Sequence, residues 1–122
     1  LGREPVDLSV PEVENFINGK NILITGAGGS IGSELTRQLV KHFSPKKIYI
    51  LGRGEGSIFE LSQELNRITT INFSPIICDI RNYKLLYKHI ERVKPDIVFH
   101  AAAHKHVPLM ETTLRKPLKT TF

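Results

Sequence analysis

The chain has 122 residues, 40% hydrophobic and 24% charged, with 17 lysines and arginines against 12 aspartates and glutamates for a net charge of +5. That length suits one globular domain, able to bury roughly 65% of its unfolded surface. The single cysteine excludes an internal disulfide, and no stretch approaches the roughly 18 apolar residues of a membrane span.

The basic surplus is scattered over polar faces with few aromatics between, which argues against a nucleic-acid surface. With no secretory signal and one cysteine, the chain reads as belonging to a reducing, cytoplasmic face. Residues 1–19 read as an arm, punctuated by Pro5, Pro11 and the turn pair Asn18-Gly19, that joins the domain to something upstream. Val13, Phe16 and Ile17 share a helical spacing, so a short helix over 11–17 is expected to dock on the domain at 20–122.

Ile22, Leu23 and Ile24 form the continuous apolar run of a strand covered on both faces, and Thr25 ends it. Gly26, Gly29 and Gly32 follow, each with its own steric reason to lack a Cβ: a tight turn, an approach of backbone to a pyrophosphate, and close packing of helix on strand. The amides of Ser30 and Ile31 then fall at a helix N-terminus, where unpaired N–H groups and the helix dipole attract phosphate. The helix is expected over 30–43, with Ile31, Leu35, Leu39 and Phe43 as one stripe facing the sheet.

Pro45 stops that helix, and Ile48 to Leu51 give a second strand. At this point in a dinucleotide fold an acid holds the ribose 2′-hydroxyl, whereas an arginine accommodates a 2′-phosphate. Gly52-Arg53-Gly54-Glu55 stands here, so Arg53 favours NADP, with Glu55 two residues on still a candidate for the NAD ribose.

A crossover helix is expected over 57–68 on Ile58, Leu61, Leu65 and Ile68, and a third strand over 73–78 with Pro75 near its start. Cys78 reads as buried packing. Asp79 and Ile80 emerge at the carboxyl end of that strand, where an adenine would lie, Asp79 accepting from its amino group and Ile80 covering the ring. The competing reading makes Asp79 a helix-start acid beside the cap Asn82.

A helix over 83–93 and a strand over 97–100 complete an α/β, Rossmann-like three-layer pattern with a parallel sheet of order 3-2-1-4. Ala101, Ala102 and Ala103 follow, small enough for backbone to press on a ribose or nicotinamide. His100, His104 and His106 invite a metal reading, but the spacing lacks a defined ligand set and no metal is assigned. Lys105 and His106 suit a loop gripping an anionic substrate beside the nicotinamide.

The segments TGAGGSIGSEL (25–35), LGRGEGSIFEL (51–61), CDIRN (78–82) and VFHAAAHKHVPLME (98–111) resemble the CapD-type polysaccharide biosynthesis proteins. These are extended short-chain dehydrogenases/reductases that include the UDP-N-acetylglucosamine 4,6-dehydratases. The resemblance implies pyrophosphate binding by Gly26, Gly29, Ser30, Ile31 and Gly32, and adenosine ribose contact by Arg53. It also implies adenine contact by Asp79 and Ile80, nicotinamide ribose contact by Ala101 to Ala103, and a substrate-side loop holding Lys105 and His106.

It implies a nucleotide-sugar substrate of the UDP-N-acetylglucosamine type, NADP or NAD as cofactor, and a longer homo-oligomeric protein anchored in the inner membrane through an upstream segment. The family's acid/base motif falls beyond Phe122, so no catalytic residue is assigned and no turnover is expected of this chain alone. A truncated fold would leave the fourth strand as a bare edge prone to self-association. A coenzyme-sensing module without chemistry, a nucleotide-sugar epimerase and a metal-binding domain are the competing functions.

Overall fold

Short apolar runs set between amphipathic stretches become the strands of one parallel sheet in a computed structural model, which describes residues 10–101 and 120–121 and side chains over 12–101. The elements are α1 (Val10–Ile17), β1 (Asn21–Thr25), α2 (Ser30–His42), β2 (Lys47–Gly52), α3 (Glu55–Ile68), β3 (Asn72–Ile77), α4 (Tyr83–Val93), β4 (Ile97–His100) and β5 (Thr120–Thr121).

The sheet runs β3-β2-β1-β4-β5 with every pair parallel. The 3-2-1-4 order read from the sequence is therefore present. The bare fourth edge is not: Thr120 pairs with Ile97 and Thr121 with Val98. Strand β4 is thus paired on both sides at Ile97 and Val98.

Strand alternation divides the core into two halves, as a sheet covered on both faces requires. Ile22, Ile24, Ile48, Ile50 and Ile97 pack with Ile17 of α1, Leu39 and Val40 of α2, and Ile58, Leu61 and Leu65 of α3. Leu23, Leu51 and Val98 point the other way, onto Leu86, Ile90 and Val93 of α4. Each such side chain stabilises the fold by about 1.5–3 kcal/mol when fully buried. Helix α1 docks as expected, with Ile17 in the core and Val13 and Phe16 against it.

Chain direction across the sheet reverses after β3, which returns the chain to the far side of β1. That reversal opens a crevice at the carboxyl ends of β1 and β4, the place where open α/β sheets bind ligands.

Of the stripe expected on α2, Leu39 is buried and Leu35 and Phe43 pack partly buried against the core, but Ile31 is corrected. Ile31 is 72% exposed, and the buried residues are Gly32, Thr36, Leu39 and Val40. Gly32 sets the contact between the first turn and the preceding loop, so the helix is rolled to place residues 32, 36 and 40 inward and Ile31 out. Thr36 survives in that interior because its Oγ1 donates to the Gly32 carbonyl at 2.7 Å.

Smaller shifts follow the same logic. Pro75 lies in the body of β3, opposite Ile50, and is tolerated because β3 is the outer strand with a single partner. Helix α3 starts at Glu55, placing an acid in its first turn, where the helix dipole favours it, and Ile68 at its far end is half-exposed.

Candidate functional site

A cleft of about 460 Å³ lies at the carboxyl ends of β1, β2 and β3. Its floor and walls are the turn after β1, the Gly52–Gly54 segment after β2, Cys78 to Ile80 after β3, and Ala101 after β4.

The turn is built by backbone geometry. Gly26 has φ +67°, a left-handed conformation that a side chain disfavours, and its carbonyl accepts from Gly29 N at 3.1 Å. Ala27 N donates to Leu51 O at 3.0 Å, which ties the turn to β2. At Gly32 a Cβ would collide with the Gly26 carbonyl and stand 2.8 Å from Ala27 Cα, so only glycine lets the helix sit on the turn.

Gly29 is different: a Cβ there would meet only Gly26 O, at an ordinary 3.5 Å. The fold leaves room above it on the cleft side. Gly29 is the N-cap of α2 and carries no side-chain cap, and its carbonyl accepts from Ser33 N at 2.9 Å. The amides of Ser30, Ile31 and Gly32 thus precede the first intrahelical bond and have no acceptor among the described residues. Open backbone, unspent donors and the positive end of a helix dipole meet in one place.

Beyond β2, Arg53 is 65% exposed in its side chain and borders the cleft, and Gly54 caps α3. Beyond β3, Cys78 N donates to Gly52 O at 2.9 Å and extends the pairing by one residue. Asp79 accepts from Arg81 N at 3.0 Å and from the Arg81 side chain, with Nη2 to Oδ2 at 2.7 Å. Arg53 Nη1 lies 3.9 Å from the same Oδ2. The Arg81 side chain, then its backbone N–H, hold the Asp79 carboxyl well below the usual carboxylate range.

The helix-capping role belongs to Asn82, whose Oδ1 accepts from Leu85 N at 3.2 Å. Ile80 is buried in the α4-side core while contributing to the cleft wall. Cys78 is buried as expected, and burial pushes its thiol up, away from thiolate chemistry. Ala101 N donates to Thr25 O at 3.0 Å, which fixes the start of the alanine run at the cleft.

The structure therefore brings together Gly26, Gly29, Ser30, Ile31, Arg53, Asp79, Ile80 and Ala101 around one cleft, with Gly32 directly behind the turn. Ala102, Ala103, Lys105 and His106 lie outside the described residues. Gly28 and Ser57, so close that a Cβ at Gly28 would stand 2.7 Å from Ser57 Cβ, and Arg81 were not singled out in the sequence. The run Gly52-x-Gly54 beside Ser57 is a small-residue signal for the first contact.

Among the described residues no group of three or more His, Cys, Asp or Glu side chains is arranged to hold a metal ion. Among them, too, no helix is long and apolar enough to cross a membrane.

The family model described as polysaccharide biosynthesis protein matches residues 22–121, which contain the whole turn, the strand ends that border the cleft and the alanine start. The chain belongs to this family. It is 50% identical over 113 residues to the capsular polysaccharide biosynthesis protein CapD of Staphylococcus aureus, covering 91% of this chain and 19% of that one. It is 42% identical over 107 residues to a UDP-N-acetylglucosamine 4,6-dehydratase (inverting) of Campylobacter jejuni, covering 88% of this chain and 30% of that one.

Among solved structures it is similar to a UDP-glucose 4-epimerase from Stenotrophomonas maltophila with bound NAD and formylated UDP-arabinopyranose. The TM-score is 0.58 at 25% identity, over 77% of this chain and 27% of that one. This member of the polysaccharide biosynthesis family thus spans less than a third of these relatives. Its parallel sheet is the Rossmann-like fold of the short-chain dehydrogenases/reductases.

Proposed function

We propose that the chain is the NAD(P)-binding part of a nucleotide-sugar 4,6-dehydratase, of the UDP-N-acetylglucosamine type, serving capsular or exopolysaccharide synthesis. The observation that carries the reading is the turn after β1. It is closed by its own backbone at Gly32, open at Gly29, and topped by the unspent amides of Ser30, Ile31 and Gly32. A dinucleotide's pyrophosphate matches that combination of space, donors and dipole.

In this reading Gly26, Gly29, Ser30, Ile31 and Gly32 hold the pyrophosphate. Asp79 and Ile80 receive the adenine, and Arg53 receives the adenosine ribose, its cation favouring the 2′-phosphate of NADP over the hydroxyl of NAD. Ala101, followed in sequence by Ala102 and Ala103, faces the nicotinamide ribose, and Lys105 and His106 belong to the substrate side. The nicotinamide, when bound, exchanges a hydride with the sugar. The residues of this chain bind and orient it.

Calorimetric titration of the chain with NADP and with NAD, alongside Gly29→Ala, tests the proposal. Coenzyme binding should weaken about tenfold or more, which is about 1.4 kcal/mol, because the new methyl occupies the open side of the turn. Undiminished binding by Gly29→Ala would remove the basis of the reading.

A further inference from the structure

We infer that Arg81, which does not line the cleft, is a positioning residue that sets coenzyme preference by holding the Asp79 carboxylate away from Arg53. The inference rests on the dinucleotide reading above and deepens it. Its basis is the uneven division of one carboxylate between two guanidiniums.

Arg81 takes both oxygens of Asp79. Its Nε lies 3.1 Å from Oδ1 and 3.2 Å from Oδ2, its Nη2 lies 2.7 Å from Oδ2, and its backbone N–H donates to Oδ1 at 3.0 Å. Such a two-pronged, charge-assisted arrangement is the strongest that arginine makes with a carboxylate. Arg53 reaches the same group once, at 3.9 Å, beyond hydrogen-bonding distance, and its guanidinium forms no hydrogen bond among the described residues. Among those residues its five donors are unspent, and it is the arginine that borders the cleft.

With two cations and one anion, the cluster presents one net positive charge at the corner between β2 and β3. Removing the Arg81 side chain takes that charge to zero and leaves Arg53 as the one remaining cation of the cluster. Asp79 would then draw Arg53 into a close pair and occupy donors otherwise available to a ligand. Both changes act against a dianionic 2′-phosphate and neither acts against a 2′-hydroxyl. Any adenine contact of Asp79 is common to both coenzymes and cancels in their affinity ratio.

The test is calorimetry on the chain with NADP and NAD for the parent, Arg81→Ala, Asp79→Asn and the double variant. Arg81→Ala should lower the NADP:NAD affinity ratio about fivefold, chiefly because Asp79 closes on Arg53 and takes donors from the 2′-phosphate. In the Asp79→Asn background, where no carboxylate competes for Arg53, the same substitution should lower the ratio clearly less, through the loss of the distant charge alone.

An unchanged ratio in Arg81→Ala overturns the inference. So does an equal fall in both backgrounds, which would make Arg81 a distant charge acting without Asp79. Failure of the parent chain to bind either coenzyme would instead sink the dinucleotide reading, and the inference with it.

Discussion

The carbonyl oxygen of Gly26 occupies the space that a side chain at Gly32 would need, so the loop after β1 and the first turn of α2 are fitted backbone to backbone. Both obstacles at Gly32, the Gly26 carbonyl and Ala27 Cα, are main-chain atoms that cannot rotate aside. Gly32→Ala is therefore expected to destabilise the fold by about 1–3 kcal/mol, the usual cost of overpacking, despite alanine's better helix propensity. Gly29→Ala should cost no more than about 1 kcal/mol, as a poorer N-cap. Urea unfolding of the two variants checks the order, and a Gly32→Ala protein as stable as the parent would show that the turn can shift.

The pairing of Asp79 with Arg81 predicts the acid behaviour of the fold. The folded carboxyl is held below its unfolded value of 3.8, so its contribution is fully present above that value and disappears as pH falls through it toward the lowered one. Glu64, lowered chiefly by the Arg37 side chain, and Glu34, lowered first by Gln38 and then by Arg37, act with the same sign. Stability should decline on acidification from about pH 5 downward. In Arg81→Ala the Asp79 carboxyl, followed by NMR titration, should move back up toward its ordinary value. No movement would mean that Arg81 does not hold it in solution.

Much of this fold is legible in the sequence because two-sided burial writes itself as apolar runs. Ile22 to Ile24, Ile48 to Leu51 and Ile97 to Phe99 allow few alternatives to strands, and glycines three apart after the first of them fix the turn. What escaped is what depends on rotation and reach rather than on period. Ile31 sits at the right spacing from Leu35 and Leu39, but the contact at Gly32 turns it outward, which no periodicity reveals. The pairing of Thr120 and Thr121 with β4 is too short to leave a pattern. Arg81 was not read as a partner of Asp79, although the two are only two residues apart and an Asp side chain commonly accepts from the backbone N–H two residues on.

Helix α4 carries two opposite tests at its ends. Asn82 caps its start through Leu85 N, so Asn82→Ala should cost about 0.5–2 kcal/mol. Lys94 closes the other end with φ +53°, a left-handed conformation unfavourable to a side chain, while its N–H donates to Ile90 O at 2.8 Å. Lys94→Gly should therefore stabilise by about 0.5–1 kcal/mol, relief of that strain outweighing the added freedom of the unfolded chain. Thermal unfolding should shift in opposite directions for the two variants. A drop for Lys94→Gly would place the stabilising contribution in the lysine side chain instead.

Arg53 provides the most direct test of coenzyme choice, because it is the cation at the end of β2 and its guanidinium has donors to spare. A charge-assisted hydrogen bond to a phosphate contributes about 1.5–3 kcal/mol, so Arg53→Ala should weaken NADP binding about tenfold or more. NAD, which offers only a hydroxyl at that position, should lose little. Raising the salt concentration should narrow the difference in the parent chain, since the contact is solvent-exposed, and should have less effect on the ratio in the variant. Equal losses for the two coenzymes would assign Arg53 to packing at the mouth of the cleft. The 2′-position would then be read by another group, for which Glu55, in the first turn of α3, is the nearest acid in sequence.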